Sequence, residues 1–323
     1  MKRTFRTALV ATAALAIPAL TTAPAHAVDI PCNTARLIVP WGAGGETDIL
    51  FRIVTDAANR NGAKPQLQVV NMGGQGGIKG TKQAIKAKPD GCTVFATFQH
   101  VLASNLTGRI DFTWDAFVPV ARMVQTASII GAGNKAPFNN YKEMQAWAKA
   151  NPNKLLAGGT LGSTSHFTLL QVQDALGIEM KVVSYDGTAD RMKAMLANTI
   201  HIGQVSEATA AKHVKTGAIK VLAINAPERS KVLPDLPTAT EQGFPIEITS
   251  DRGIVLPKGA SPALVKYYAD LMEKVSKDPQ FIKAITDKGS KVAFLREDKY
   301  VAWWKTTDEK WTAIAKRLGV LKK

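Results

Sequence analysis

One unit, written twice, constrains this chain more than anything else: a short apolar run, a glycine-rich turn, then a helix whose first turn is rich in small hydroxyl residues. Leu37-Ile38-Val39 reads as a buried strand ending at Pro40. Gly42-Ala43-Gly44-Gly45 follows, and Ile49, Leu50, Ile53, Val54 and Ala57 then recur at helical spacing. Residues 66–70 form a second strand, Gly73-Gly74-Gln75-Gly76-Gly77 leads into a helix, and Pro89-Asp90-Gly91 turns the chain into a strand over 93–97. The second unit begins after Ala121, with a strand over 127–132 and a capped helix from Asn140. Leu155-Leu156-Ala157 enters the turn Gly158-Gly159-Thr160-Leu161-Gly162, and Ser163-Thr164-Ser165-His166 opens the next helix. Strands over 181–185, 200–205 and 220–224 alternate with helices over 187–198 and 207–215. This order predicts an α/β fold of two domains, each a mainly parallel sheet flanked by helices. From Pro262 the pattern is helical and ends in a long helix over 298–318. The spacing of Trp303, Trp304 and Trp311 there fits a buried face better than a carbohydrate platform.

The 323 residues suffice for two domains, and 46% hydrophobic with 21% charged residues is ordinary globular composition. Residues 1–27 stand apart: Lys2, Arg3 and Arg6, an apolar run over 8–20, then Ala25-His26-Ala27. That is the form of a secretory signal peptide cut after Ala27, with an apolar run too short for a membrane span. The mature chain is therefore expected to be exported, and a cytoplasmic enzyme is not expected. A formal charge of +15 draws small anions. The basic residues are scattered among acids without an aromatic-interleaved stripe, so no nucleic-acid partner is expected. Cys32 and Cys92 are the only cysteines. An even count in an exported chain favours one disulfide over free thiols. If the runs that follow them are neighbouring parallel strands, their starts lie side by side.

At a helix start the backbone N–H groups point outward unpaired and the helix dipole adds positive charge. Glycine lets a ligand approach that backbone, so both turns have the means to hold a carboxylate or phosphate. The first supplies Gly44, Gly45 and Thr47, and the second Gly162, Ser163, Thr164 and Ser165. One turn in each half points to a single anion held between domains. No phosphate-loop or nucleophile-elbow motif occurs, and Lys79 stands where the G-x-G-x-x-G pattern needs glycine. Ser163–Ser165 beside His166 read as a helix start rather than a catalytic pair. The few histidines and cysteines form no metal-ligand cluster. Arg252 stands where the chain returns from the second half to the first, placed either to clamp a carboxylate or to pair with adjacent acids. Asp186 and Glu207 each follow a strand of the second half, facing the cleft or capping the next helix. Asp48 stabilises its own helix start, with a cleft contact as the lesser reading.

Ordered motifs along the chain carry a resemblance. They include Val39-Pro40-Trp41-Gly42-Ala43-Gly44-Gly45-Glu46-Thr47-Asp48, Asn71-Met72-Gly73-Gly74-Gln75-Gly76-Gly77, Lys88-Pro89-Asp90-Gly91, Val183-Ser184-Tyr185-Asp186-Gly187, Leu233-Pro234-Asp235-Leu236-Pro237-Thr238 and Gly253-Ile254-Val255-Leu256-Pro257. In these the chain resembles the periplasmic solute receptors of tripartite tricarboxylate transporters, the Bug/TctC family. The resemblance implies a two-domain clam-shell of the type II periplasmic binding protein kind, with residues 28–122 plus 250–323 around 123–249. It implies no catalysis and no cofactor. The expected partners are a di- or tricarboxylate or aromatic acid in the cleft and the membrane permease subunits, with the receptor a monomer. Carried over by position, the ligand contacts come from Gly44, Gly45, Thr47, Ser163, Thr164 and Ser165, and Trp41 in the first turn is a further ligand-binding candidate. Trp41 replaces a smaller ring, Thr160-Leu161-Gly162-Ser163 a more glycine- and alanine-rich turn, and Glu207 a shorter acid, so the ligand's identity stays open. Two other readings remain at this point: the ligand-binding subunit of a sensor, and a secreted α/β hydrolase.

Overall fold

A computed structural model describes residues 28–185 and 187–322. The signal peptide read over 1–27, its cleavage point and Asp186 lie outside the described residues. Strand β1 (Thr34–Val39) lies between β2 (Gln66–Asn71) and β3 (Thr93–Thr97), parallel to both. Leu37, Ile38 and Val39 are wholly buried because helices cover both faces, which is why β1 reads as a continuous apolar run. Helices α1 (Glu46–Arg60), α2 (Ile78–Ile85) and α3 (His100–Leu106) leave the C-terminal ends of these three strands. Cys32 and Cys92 are joined in a disulfide beside the starts of β1 and β3, their Cα atoms 6.0 Å apart.

The second parallel trio is β5 (Leu156–Gly159) between β6 (Lys181–Ser184) and β7 (Ile202–Val205). Helices α4 (Tyr141–Ala150), α5 (Thr164–Leu176), α6 (Thr188–Leu196) and α7 (Glu207–Val214) surround it. Asn140 caps α4 by accepting from the Glu143 N–H, and the Glu143 carboxylate accepts from the Asn139 N–H. The cap is the one the sequence motif predicts, with the Glu143 return bond taken from the N–H of the residue before the N-cap rather than from that of Asn140 itself.

The parallel trios are joined by antiparallel strands that the apolar pattern shows only in part. β4 (Phe117–Gly133) pairs with β9 (Thr249–Pro257) through Ala127, and with β7 and β8 (Ile219–Asn225) beyond it. One strand thus serves both sheets. Sequence periodicity marks only 127–132 of it, because register shifts near Pro119 and Arg122 break the alternation earlier. After β9, α8 (Pro262–Lys277) and α9 (Pro279–Thr286) start on prolines capped by Ser261 and Asp278. The expected all-helical tail then contains β10 (Lys291–Arg296), a short strand antiparallel to β4. Helix α10 (Glu297–Arg317) closes the chain. Its tryptophans pack as core: Trp304 stacks on Trp114 at 6.1 Å and Trp311 on Phe167 of α5 at 4.6 Å. Arg317 adds a bidentate pair to Asp174, both bonds 2.6 Å, so α10 ties the first lobe to the second.

Candidate functional site

The first glycine turn is organised from within. Gly44, at φ +78°, donates its N–H to Asp48 Oδ2 at 2.8 Å, and Asn71 Nδ2 donates to Asp48 Oδ1 at the same distance. Burial raises the Asp48 pKa, but bonds from Arg52, Gly44 and Asn71 outweigh it and hold the group below the usual carboxylate range. Asp48 therefore sets the shape of the turn, and Gly42–Gly45 remain exposed above it. Trp41 lies beneath the turn, 5.9 Å from Phe98 and 6.1 Å from His100, with its buried Nε1 unpartnered.

Arg252, on β9, is 4% exposed and reaches this turn. Its Nε donates to Thr47 Oγ1 at 3.2 Å, its Nη1 to Thr126 Oγ1 at 2.8 Å, and its Nη2 to Glu46 Oε2 at 2.5 Å. The guanidinium also lies 5.6 Å from the Phe98 ring centroid. The neighbouring acid, Asp251, pairs instead with Arg122 at 2.8 Å. The acidic partner of Arg252 is thus Glu46, a residue sequence reasoning passed over although it stands within the glycine motif.

In the second turn Ser163 Oγ donates to the Thr160 carbonyl at 2.7 Å, and the Thr160 N–H donates to Ser165 Oγ at 3.0 Å. Thr164 Oγ1 is buried without a partner. Burial pushes His166 down to about 4, and its neutral Nδ1 accepts from the Gly162 N–H at 3.2 Å. The serine hydroxyls are thus tied to their own turn and Nδ1 to a backbone amide. The turn meets the first lobe directly: Ser104 Oγ donates to the Gly162 carbonyl at 3.0 Å. Arg109 donates to Leu161 O at 2.8 Å and to Gln75 O at 3.1 Å. Loop 73–77 lies between the two turns, since a Cβ on Gly73 would sit 3.0 Å from Gly42 N and one on Gly76 would sit 3.8 Å from Ser163 Cβ. The turns are thus linked through this loop. Arg109, which has no motif around it, is the clasp that sequence reasoning missed.

Glu207 is the first residue of α7, which Ser206 caps. It is 5% exposed and its Oε1 has no partner. Across from it stands Gly289 of the first lobe, where any Cβ would strike the Glu207 side chain. A cavity of about 290 Å³ opens beside it, lined from both lobes by Gln125, Ser230, Thr249, Gly289 and Ser290 among others. Among the described residues proposed from sequence to contact ligand, Glu207 alone lines this cavity. Ser290 Oγ lies 2.7 Å from Thr126 Oγ1, so a hydrogen-bonded chain runs from the cavity wall to Arg252. Among the described residues no three His, Cys, Asp or Glu side chains gather to hold a metal.

Burial, and then the charge of Glu46, push Glu207 up to about 7, against a lowering bond from the Val232 amide. A carboxyl raised on folding contributes stability in full below its unfolded value near 4.5, and that contribution is lost as pH rises through 7. Glu207→Gln should therefore gain about 2 kcal/mol relative to wild type between pH 5 and pH 8. Urea unfolding at both pH values reads the difference, and a gap that does not change with pH would contradict the assignment.

Two α/β lobes, joined through shared strands and meeting at the loops that leave their parallel strand ends, define a clam-shell binding protein. The model of the tripartite tricarboxylate transporter family receptor, TctC, matches residues 50–320, and the chain belongs to this family. It is 29% identical over 317 residues to a Cupriavidus necator protein from the gbd 5′ region, covering 97% of this chain and 95% of that one. The periplasmic binding protein BugD is similar in structure, with a TM-score of 0.79 and 26% identity over 90% of this chain and 99% of that one. A TctC solute binding protein from Polaromonas, solved without ligand, has a TM-score of 0.69 and 27% identity, covering 90% of this chain and all of that one.

Proposed function

We propose that the chain is a periplasmic receptor that closes on a small organic carboxylate and delivers it to the permease subunits of a tripartite transporter. The lobes that close are residues 28–122 plus 250–323 and 123–249, and the exported chain acts as a monomer without catalysis. Trp41, Gly44, Gly45, Thr47, Asp48 and Arg252 form or support the first-lobe side of the ligand site. Gly162, Ser163, Thr164, Ser165, Asp186 and Glu207 do the same on the second.

The observation that carries this reading is the junction of the second turn with the first lobe. Leu161 and Gly162 offer carbonyls to Arg109 and Ser104, while Thr164 Oγ1 stays buried and unpartnered at the helix start beside them. A helix N-terminus with a spare hydroxyl suits an anionic oxygen. The family description agrees in class, and hinge bending with higher affinity in the closed state supplies the coupling.

The test is thermal unfolding of ligand-stripped protein against citrate, malate, succinate, aspartate, glutamate, nicotinate, terephthalate and protocatechuate. Ligand at about a hundred times its dissociation constant stabilises by about 2.7 kcal/mol, a plainly shifted midpoint. A clear responder supports the reading, and silence across the panel counts against it.

A further inference from the structure

Arg191 is the fourth residue of α6, and its stem runs across the second sheet where two glycines stand side by side. Gly158 of β5 and Gly203 of β7 are register partners. A Cβ on Gly158 would meet Arg191 Cγ at 2.8 Å, and one on Gly203 would meet Cδ at 2.9 Å. These two strand glycines leave a trough that the arginine fills. At the end of the trough Nε donates to the Gln204 carbonyl at 2.9 Å, and Nη2 to Thr188 Oγ1 at 3.1 Å. The guanidinium thus sits at the C-terminal edge of β7, under the first turn of α6.

Arg191 is 3% exposed, and its Nη1 has no partner. No carboxylate among the described residues is bonded to it. Burial alone pushes its pKa down to about 10. A buried charge without a counterion destabilises a fold, and well-packed apolar groups of the same volume often serve it better. The location gives the charge a use. The same strand edge carries Thr160, whose Oγ1 donates to Tyr185 O and accepts from the Gly187 N–H, and it carries Glu207. Its loops touch the first lobe at Leu161, Gly162 and Glu207. In open α/β sheets ligands bind outside these carboxyl ends of the strands. Arg252, the arginine the sequence singles out, is already held by Glu46.

We propose that Arg191 is the anion clamp of the second lobe, its unpartnered Nη1 taking one oxygen of the bound carboxylate. This rests on the reading of the chain as a carboxylate receptor. It assigns the ligand's charge to a guanidinium rather than to backbone amides alone.

Arg191→Met keeps much of the stem and removes the charge. With citrate, malate, succinate and aspartate as probes, the ligand-free midpoint of this variant should match or exceed wild type. Its response to the probe that shifts wild type should weaken at least tenfold in the concentration required. Arg191→Lys keeps a charge without the planar fork and should weaken binding about tenfold, which decides the matter if the methionine variant does not fold. An unchanged probe response in either folded variant overturns the clamp. So does a lowered ligand-free midpoint with the response retained, since that marks a strut. A wild type that answers none of the probes overturns the receptor reading itself, and that outcome is distinct from both.

Discussion

Replacing Cys32 and Cys92 together with alanine should lower the unfolding midpoint by about 8 °C. The bridge spans a sequence separation of 60 residues, which takes in β1, α1, β2 and α2. Closing a loop of that length restricts the unfolded chain by about 4 kcal/mol in the chain-entropy account. For a chain of this size each kcal/mol moves the midpoint by about 2 °C. Cys32 also packs at the edge of the first-lobe core, and alanine keeps that contact apolar. The effect belongs to the fold rather than to the ligand site, so carboxylate affinity at a temperature well below the transition should not change. Scanning calorimetry of wild type and the double variant reads both the midpoint and the ligand-induced shift. A midpoint within a degree of wild type would show that the bridge adds nothing to the folded lobe.

The second large effect concerns the junction of the lobes. Gly162 has φ +68°, and a Cβ there would strike the Arg109 stem and lie 2.8 Å from Thr107 Oγ1, both in the first lobe. Gly162→Val thus adds bulk that separated lobes tolerate and joined lobes do not. Overpacking of this kind costs about 1–3 kcal/mol, which lowers the share of the binding-competent state and weakens apparent affinity by roughly ten- to a hundredfold. Gly177→Val is the control. Gly177 has φ +57° with nothing within 4 Å of its notional Cβ, so it carries the backbone penalty without the clash. That variant should lose stability and keep wild-type affinity. Equal affinity in Gly162→Val and wild type would mean that ligand binds without this contact.

Much of the architecture is legible in the chain because local chemistry and final structure agree. Gly44 and Gly162 adopt the positive φ that their turns need, Pro262 and Pro279 sit at helix starts, and Trp304 and Trp311 fall on the buried face their spacing marks. The antiparallel strands are less legible. β9 shows an apolar run only at Ile254-Val255-Leu256 while its first half is polar, the bulges of β4 interrupt its alternation, and β10 is a short strand inside a helical stretch. The site shows the same division. Glycine turns and hydroxyl-rich helix starts are written in adjacent residues. The bond between Glu46 and Arg252 joins positions 206 apart, and Arg109 reaches across 52 residues to Leu161. Nothing local marks such partners. Arg191 lies between these cases, because its trough is made by two glycines on different strands, and only the register brings them together.

The central claim is that the chain holds a small carboxylate and does not transform it. The most direct measurement is equilibrium dialysis of the refolded, ligand-stripped protein against the labelled carboxylate that shifts its unfolding midpoint, followed by analysis of what is recovered. The account predicts saturable retention of one equivalent per chain, with the compound recovered unchanged. No saturable retention, or recovery of a converted product, would contradict it.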